Sequence, residues 1–416
     1  MKLTTAAFGL GAVILATPLA AQMPSRSGQD SAPQQSDETN SKEPQLKPSG
    51  GALKAIVDLQ TAVNANDYAN VPAKAAAAQK VAKTKEDRYI IGQLYLKAAL
   101  AAKDNGGMAA AIDAVASSGY VDAAKSAELY RSLGASLYNS KQFDLAAAAL
   151  DKAVAASPND SEALIMLGET RNAQGRKADA IASLQRAIQV SAAAGQKPRE
   201  EIYKRAVGLA YDAQLPVAND LGRQWVAAYP GPESWRNAIA IYRNMTKPDV
   251  EGTLDLLRLL QATGALSSQA DYSLFASASA DQLNYAEAQS VIDAGIAAGK
   301  VDPNSPLFRD IVAGLKAKQK LTEADLAVAA KAGTTGKAKM RIGDGYSALG
   351  QYAKAADFYR EAAGKGDIDA NVANLHLGIA LARSGDKAGA AAAFKSVSGP
   401  RSDIAKYWLL YVQPNG

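Results

Sequence analysis

The chain has 416 residues, with 46 Lys and Arg against 41 Asp and Glu, one histidine and no cysteine. Without a thiol there is no disulfide framework, thiolate nucleophile, iron–sulfur ligation, thiolate zinc site or acylated lipoprotein cysteine, and one histidine rules out a histidine-rich metal cluster. A formal net charge of +5 leaves no strongly basic stripe for nucleic acid, and only 6% aromatic residues beside abundant alanine argue for helices over strands.

The amino-terminal segment reads as a secretory signal peptide over residues 1–21. Lys2 supplies the positive charge, Ala6 to Leu19 the short apolar core, and Ala20 and Ala21 the small residues of a cleavage site. The run falls short of the roughly 20 apolar residues of a bilayer-spanning helix and holds Gly9, Gly11 and Pro18. Residues 22–50 are rich in Pro, Ser, Gln, Asp and Gly. They hold too little apolar surface to offset the entropy of ordering, so a disordered linker is expected.

Helix-period apolar patterns run through 52–64, 71–84, 87–102 and 106–117, so 51–126 is expected to form degenerate helical hairpins. Between 127 and 194 a repeat becomes explicit. Tyr130, Leu133, Gly134, Leu137, Ala146, Leu150, Ala153 and Pro158 mark the first unit, and six of these positions, 130, 133, 134, 146, 150 and 153, recur 34 residues later as Leu164, Leu167, Gly168, Ala180, Leu184 and Ala187. This pattern resembles the tetratricopeptide repeat, with leucine in place of two of its aromatics. The small residues let two antiparallel helices approach, the larger ones fill the seam, and the proline turns the chain into the next unit. Pentatricopeptide repeats share the length and the helix pairing. They read RNA bases, which an exported compartment disfavours.

Residues 195–335 carry divergent units. One near Glu201 keeps Gly208, Tyr211, Ala227 and Pro232 but places Asp220 where the pattern wants a small residue. A weak one begins near Trp235, and one near Gln269 keeps Tyr285, Ala288, Ile292 and Gly295. The stretch 303–335 fits mainly by length. Two clear units fill 336–401, marked by Ile342, Gly343, Tyr346, Tyr359 and Ala362, then by Leu377, Gly378, Leu381, Ala390 and Phe394. Residues 402–416 form a last helix with Trp408, Leu409 and Tyr411, suited to capping an apolar end, and a tail. The resemblance implies an all-α right-handed superhelix of about ten antiparallel hairpins.

Little in the sequence marks catalysis. His376 lies in an apolar helix with no ordered acid or nucleophile elbow nearby, and reads as a packed or half-exposed helix residue. Gly333 to Lys337 falls short of a phosphate loop, with Lys331 and Ala338 at two required positions. No calcium-loop or His-Glu-x-x-His pattern occurs, no spacing marks a carboxylate pair, and scattered charges read as solvated helix faces. Two short basic clusters, at Lys83–Lys85 and Lys316–Lys320, are too small for nucleic acid. No catalytic, cofactor-binding or metal-binding residue is assigned, and no cofactor is expected.

In the resembled family the first helix of each unit lines a concave face. Carried onto this sequence, the groove residues are Glu128, Arg131, Tyr138, Asn139, Glu162, Glu169, Asn172, Arg205 and Asp212. The unit near Glu201 also offers Ile202 and Leu209, and the later units offer Lys337, Met340, Asp344 and Ser347, then Val372, Leu375, Ile379 and Arg383. The carboxylate clamp of chaperone-binding members is absent, since its positions hold Arg131 and Ala135 or Met340 and Asp344. The reading is a non-enzymatic scaffold, periplasmic or secreted. It would hold a peptide or helix of an envelope protein and need no membrane span once its signal is removed. The alternatives are a self-associating envelope protein and, further off, an envelope enzyme with a hidden site.

Overall fold

A computed structural model describes residues 46–318 and 320–413. The expected leader and most of the expected linker lie outside the described residues. Among those described, the regular structure is helical throughout, apart from a single 3-10 turn at Gly399–Arg401, and contains no strand. The chain divides between Pro158 and Asn159 into two compact units.

The first unit holds α1 (Leu53–Asn64), α2 (Val71–Val81), α3 (Lys85–Ala102), α4 (Asn105–Ala116), α5 (Ala123–Asn139) and α6 (Phe143–Ala156). Consecutive helices pair as hairpins, and α1 and α2 both lean on α3. Leu59, Val63, Ile90, Ile91 and Leu94 fill that seam. Thr84 and Asp87 form a capping box at the start of α3. The buried Asp87 carboxylate also accepts from the Ser49 backbone N–H and hydroxyl, each at 2.7 Å. Burial alone would raise its pKa, but the bonds from Ser49, Thr84 and Lys83 outweigh that and hold it down at about 2.

The second unit begins with α7 (Ser161–Ala173), α8 (Lys177–Ala193), α9 (Glu200–Asp212), α10 (Val217–Ala228) and α11 (Pro232–Thr246). It continues through α12 (Val250–Ala262), α13 (Gln269–Asp281), α14 (Tyr285–Ala297), α15 (Arg309–Lys316) and α16 (Glu323–Ala332). It ends with α17 (Gly336–Ala348), α18 (Tyr352–Ala363), α19 (Ala370–Ser384), α20 (Lys387–Lys395) and α21 (Ser402–Val412). The two shortest members of the first sixteen helices, α15 and α16, occupy the stretch where the sequence pattern is poorest, and α14 packs on α17 directly.

One glycine per clear hairpin explains the repeat. A Cβ on Gly134 would meet Leu150 at 2.5 Å, one on Gly168 would meet Leu184 at 3.0 Å, and one on Gly343 would meet Tyr359 at 2.6 Å. Gly378 faces the Phe394 ring closer still. Each partner lies 16 residues on, so the bare glycine of one helix is the socket for the large residue of the next. Gly208 occupies the same pattern position, yet no atom approaches its open side. The residue 16 positions later is the exposed Gln224, which has no ring or branched chain to seat. The close approach passes instead to Gly222, against Ala238 at 3.3 Å and the Tyr407 hydroxyl at 3.4 Å.

That contact belongs to a closure within the second unit. α21 packs on α20, with the Phe394 and Trp408 rings stacked at 6.0 Å, and also reaches back to α10 and α12. The Tyr407 hydroxyl donates to the Ala238 carbonyl at 3.3 Å and Trp408 Nε1 to the Asp255 carbonyl at 3.1 Å. Arg401 grips the Asp249 carboxylate with two bonds of 2.7 and 2.8 Å. Burying Tyr407 and Trp408 completely removes from water two side chains worth several kcal/mol of hydrophobic free energy at roughly 25 cal/mol per Å².

Candidate functional site

Four of the expected groove residues lie in the first unit, on α5. Glu128 is exposed and paired to Lys125 at 2.9 Å. Arg131 and Tyr138 are half-buried, Tyr138 with its ring 5.5 Å from that of Phe143, and Asn139 is exposed at the helix end. Helical spacing puts Arg131 and Tyr138 on one face.

In the second unit Glu162, Glu169 and Asn172 stand on α7, and Arg205 and Asp212 on α9. Arg205 holds Glu169 through two parallel bonds of 2.9 and 2.8 Å, and Arg199 holds Glu162 at 3.0 Å. These partly exposed pairs join successive hairpins, so part of the expected groove charge is cancelled internally. Asn172 is half-buried and Asp212 exposed.

Beside them lies a depression of about 400 Å³ between α9 and α11. Lys204, Gly208 and Tyr211 form one wall, Asn237, Ile241 and Asn244 the other, with Trp225 beneath. Asn244 donates to the Tyr211 hydroxyl at 3.2 Å, and Trp225 Nε1 to Glu200 at 2.9 Å. Sequence reasoning placed Ile202 and Leu209 in the groove, but both are buried.

The later units are different again. Asp344, Ser347, Ile379 and Arg383, all expected on an open concave face, line a partly open cavity of about 280 Å³ whose remaining walls come chiefly from α12, α14 and α18. Leu375 is fully buried. The reading of scattered charge as solvated surface fails here. His376 sits between Asp255, 3.3 Å from Nε2, and Asp344, 3.4 Å from Nδ1. Arg258 clamps Glu287 through bonds of 2.7 and 2.8 Å and reaches Asp255 at 2.8 Å. The Tyr359 hydroxyl donates to Asp344 at 2.8 Å. These residues come from five helices spread over more than a hundred positions, α12, α14, α17, α18 and α19, so no local spacing could have announced them.

Burial by itself would lower the His376 pKa, but the flanking aspartates raise it to about 10, Asp255 most. Both aspartates are held below the usual carboxylate range despite burial, chiefly by that imidazolium, and Arg258 is held well above its ordinary value by Glu287 and Asp255. Burial and then Asp344 push the Tyr359 phenol far up. Glu251, 3.8 Å from His376, is raised by burial. The opposed charges join α12, α14, α17, α18 and α19 as a clamp.

The family model described as the tetratricopeptide repeat matches residues 131–198 and 338–403. The tetratricopeptide resemblance is supported there. These segments are the ones in which the glycine sockets are filled. No curated protein matches the sequence. Among solved structures the chain is similar to a protein from a functional characterisation of Pseudomonas aeruginosa pilF, at 12% identity, covering 64% of this chain and 97% of that one with a TM-score of 0.24. It is also similar to a tetratricopeptide repeat protein from Parabacteroides merdae, at 11% identity, covering 80% and 99% of the two chains with a TM-score of 0.23.

Proposed function

We propose that the protein is a non-enzymatic interaction scaffold of the cell envelope that holds an extended segment of a partner protein. Tetratricopeptide repeats generally mediate protein–protein interaction, and two segments of this chain match that repeat. The observation that carries the reading is the depression between α9 and α11. It combines an apolar floor at Trp225 and Ile241 with amide groups at Asn237 and Asn244, which suit the alternating carbonyls and N–H groups of a peptide backbone. Export rests on residues 1–21, whose charge, apolar core and small residues have the order of a signal peptide.

The test is in-cell crosslinking and affinity capture of the tagged chain from the envelope fraction, read by mass spectrometry. Two variants are compared with the parent: Tyr211→Ala with Asn237→Ala, and Arg131→Ala with Tyr138→Ala. A short set of envelope proteins lost with the first variant supports the α9–α11 groove, and loss with the second moves the contact to α5. Equal capture by all three chains rejects both faces. Capture of the protein alone favours self-association, which light scattering at high concentration then checks.

A further inference from the structure

The cavity among α12, α14, α17, α18 and α19 has one feature that the clamp around His376 does not use. Arg383 lies in its wall, half-buried, and among the described residues no carboxylate stands within ion-pair distance of it. Its guanidinium meets neutral acceptors only, the Tyr352 hydroxyl at 2.7 Å and Gln261 Oε1 at 3.4 Å, and it lies 4.8 Å over the Tyr352 ring. A guanidinium has five N–H donors, so several remain for a ligand.

The same lining also carries carboxylates. The inner cluster sets Arg258 and His376 against Asp255, Asp344 and Glu287, while Glu251, 3.8 Å from His376, is shared with Arg401. Asp255 is sealed from solvent, with a side-chain exposure of 0%, and Glu287 is clamped by Arg258. Asp344 keeps 29% of its side chain accessible and lines the cavity. The cavity wall therefore carries a cation without a carboxylate partner, Arg383, and a partly accessible carboxylate, Asp344. A phosphate or other dianion would meet two carboxylates, and a simple amine would leave Arg383 unanswered.

We propose that this cavity is a binding site for a small zwitterion, a free α-amino acid, whose carboxylate lies on Arg383 and whose ammonium lies on Asp344. The volume of about 280 Å³ is near the lower bound of small-molecule pockets and suits a ligand of amino-acid size. Ser347, beside Asp344 on α17 and 3.3 Å from the Tyr359 hydroxyl, supplies a further neutral hydrogen-bonding group. The assignment is independent of the α9–α11 groove and stands whether or not that groove holds a partner.

The experiment is a melting-temperature screen of the purified full chain against the twenty free L-amino acids at millimolar concentration, followed by calorimetric titration of any that stabilise it. At least one amino acid is expected to raise the melting temperature. Its N-acetyl and methyl-ester derivatives, which remove one charge each, are expected to bind at least ~10-fold more weakly, as is the parent ligand to an Arg383→Gln chain that still melts cooperatively. No stabilisation by any of the twenty overturns the proposal. So does a derivative that binds as well as the free amino acid, or undiminished binding to Arg383→Gln. Where Arg383→Gln does not fold, the two derivatives decide the question on the unaltered chain.

Discussion

Within the second unit, α7–α11 and α12–α21 use similar hairpins and treat charge in opposite ways. In the first stretch the ion pairs are partly exposed, Glu169 with Arg205 and Glu162 with Arg199, and the face between α9 and α11 is open. In the second, the last helices fold back on α10 and α12, and residues in concave-face positions become an interior. Asp255 and His376 are buried there, and the charges stay because each meets an opposite one. An exposed pair in water contributes little, whereas a buried one is costly to break, so the same residue types are decoration in one stretch and a fastening in the other.

The largest effect should come from opening the buried cluster. Asp255→Ala leaves His376 and Arg258 short of a counter-charge and is expected to cost about 3–5 kcal/mol in urea unfolding. Amide exchange should quicken in α12 and α17–α19 and stay slow in α7 and α8. Uniform acceleration would show that the two stretches unfold together.

The same cluster sets a pH dependence. The His376 pKa is raised on folding, from its ordinary value of 6.5 to about 10. Its contribution is therefore complete below about pH 6.5, declines as pH rises and is gone above pH 10. A falling urea midpoint across that window, absent in His376→Leu, is the expected record. At the acid end the sign reverses for Asp87 in the first unit, whose pKa is lowered to about 2. Its contribution is present above about pH 4 and lost as pH falls through 2.

A pair of identical substitutions sharpens the contrast further. Gly378→Ala drives a methyl into the Phe394 ring and should cost about 1–3 kcal/mol. Gly208→Ala meets open space and should stabilise α9 by about 0.5–1 kcal/mol, while narrowing the groove and weakening capture of any partner. Equal destabilisation by both would mean that the two glycines do the same work. The smallest effect is expected from Arg205→Ala, below about 1 kcal/mol and shrinking further in high salt, by thermal melting.

The hairpins were legible because their signal is local. A 34-residue period, a glycine and its partner 16 residues on, and a small residue facing each seam all reflect contacts inside one hairpin, which recur wherever the hairpin does. At Gly208 the pattern is deceptive, because the family spacing survives while the partner at Gln224 does not. The exposed groove residues were half legible. Their helix face follows from periodicity, but that Arg205 seeks Glu169 depends on how neighbouring hairpins stack.

By itself the sequence determined the all-α repeat, its clearest units and the weakness of the stretch around 303–335, since each depends on residues a few turns apart. The tertiary structure alone decided which charges are buried. Asp255 and His376 read as unremarkable helix residues and Asp344 as a groove residue, yet they meet in the unit where α21 fastens the end of the chain to α10 and α12, alongside Arg401, Tyr407 and Trp408. Contacts between residues 150 or more apart leave no period to read. They arise where the stacking of successive hairpins brings distant helices together.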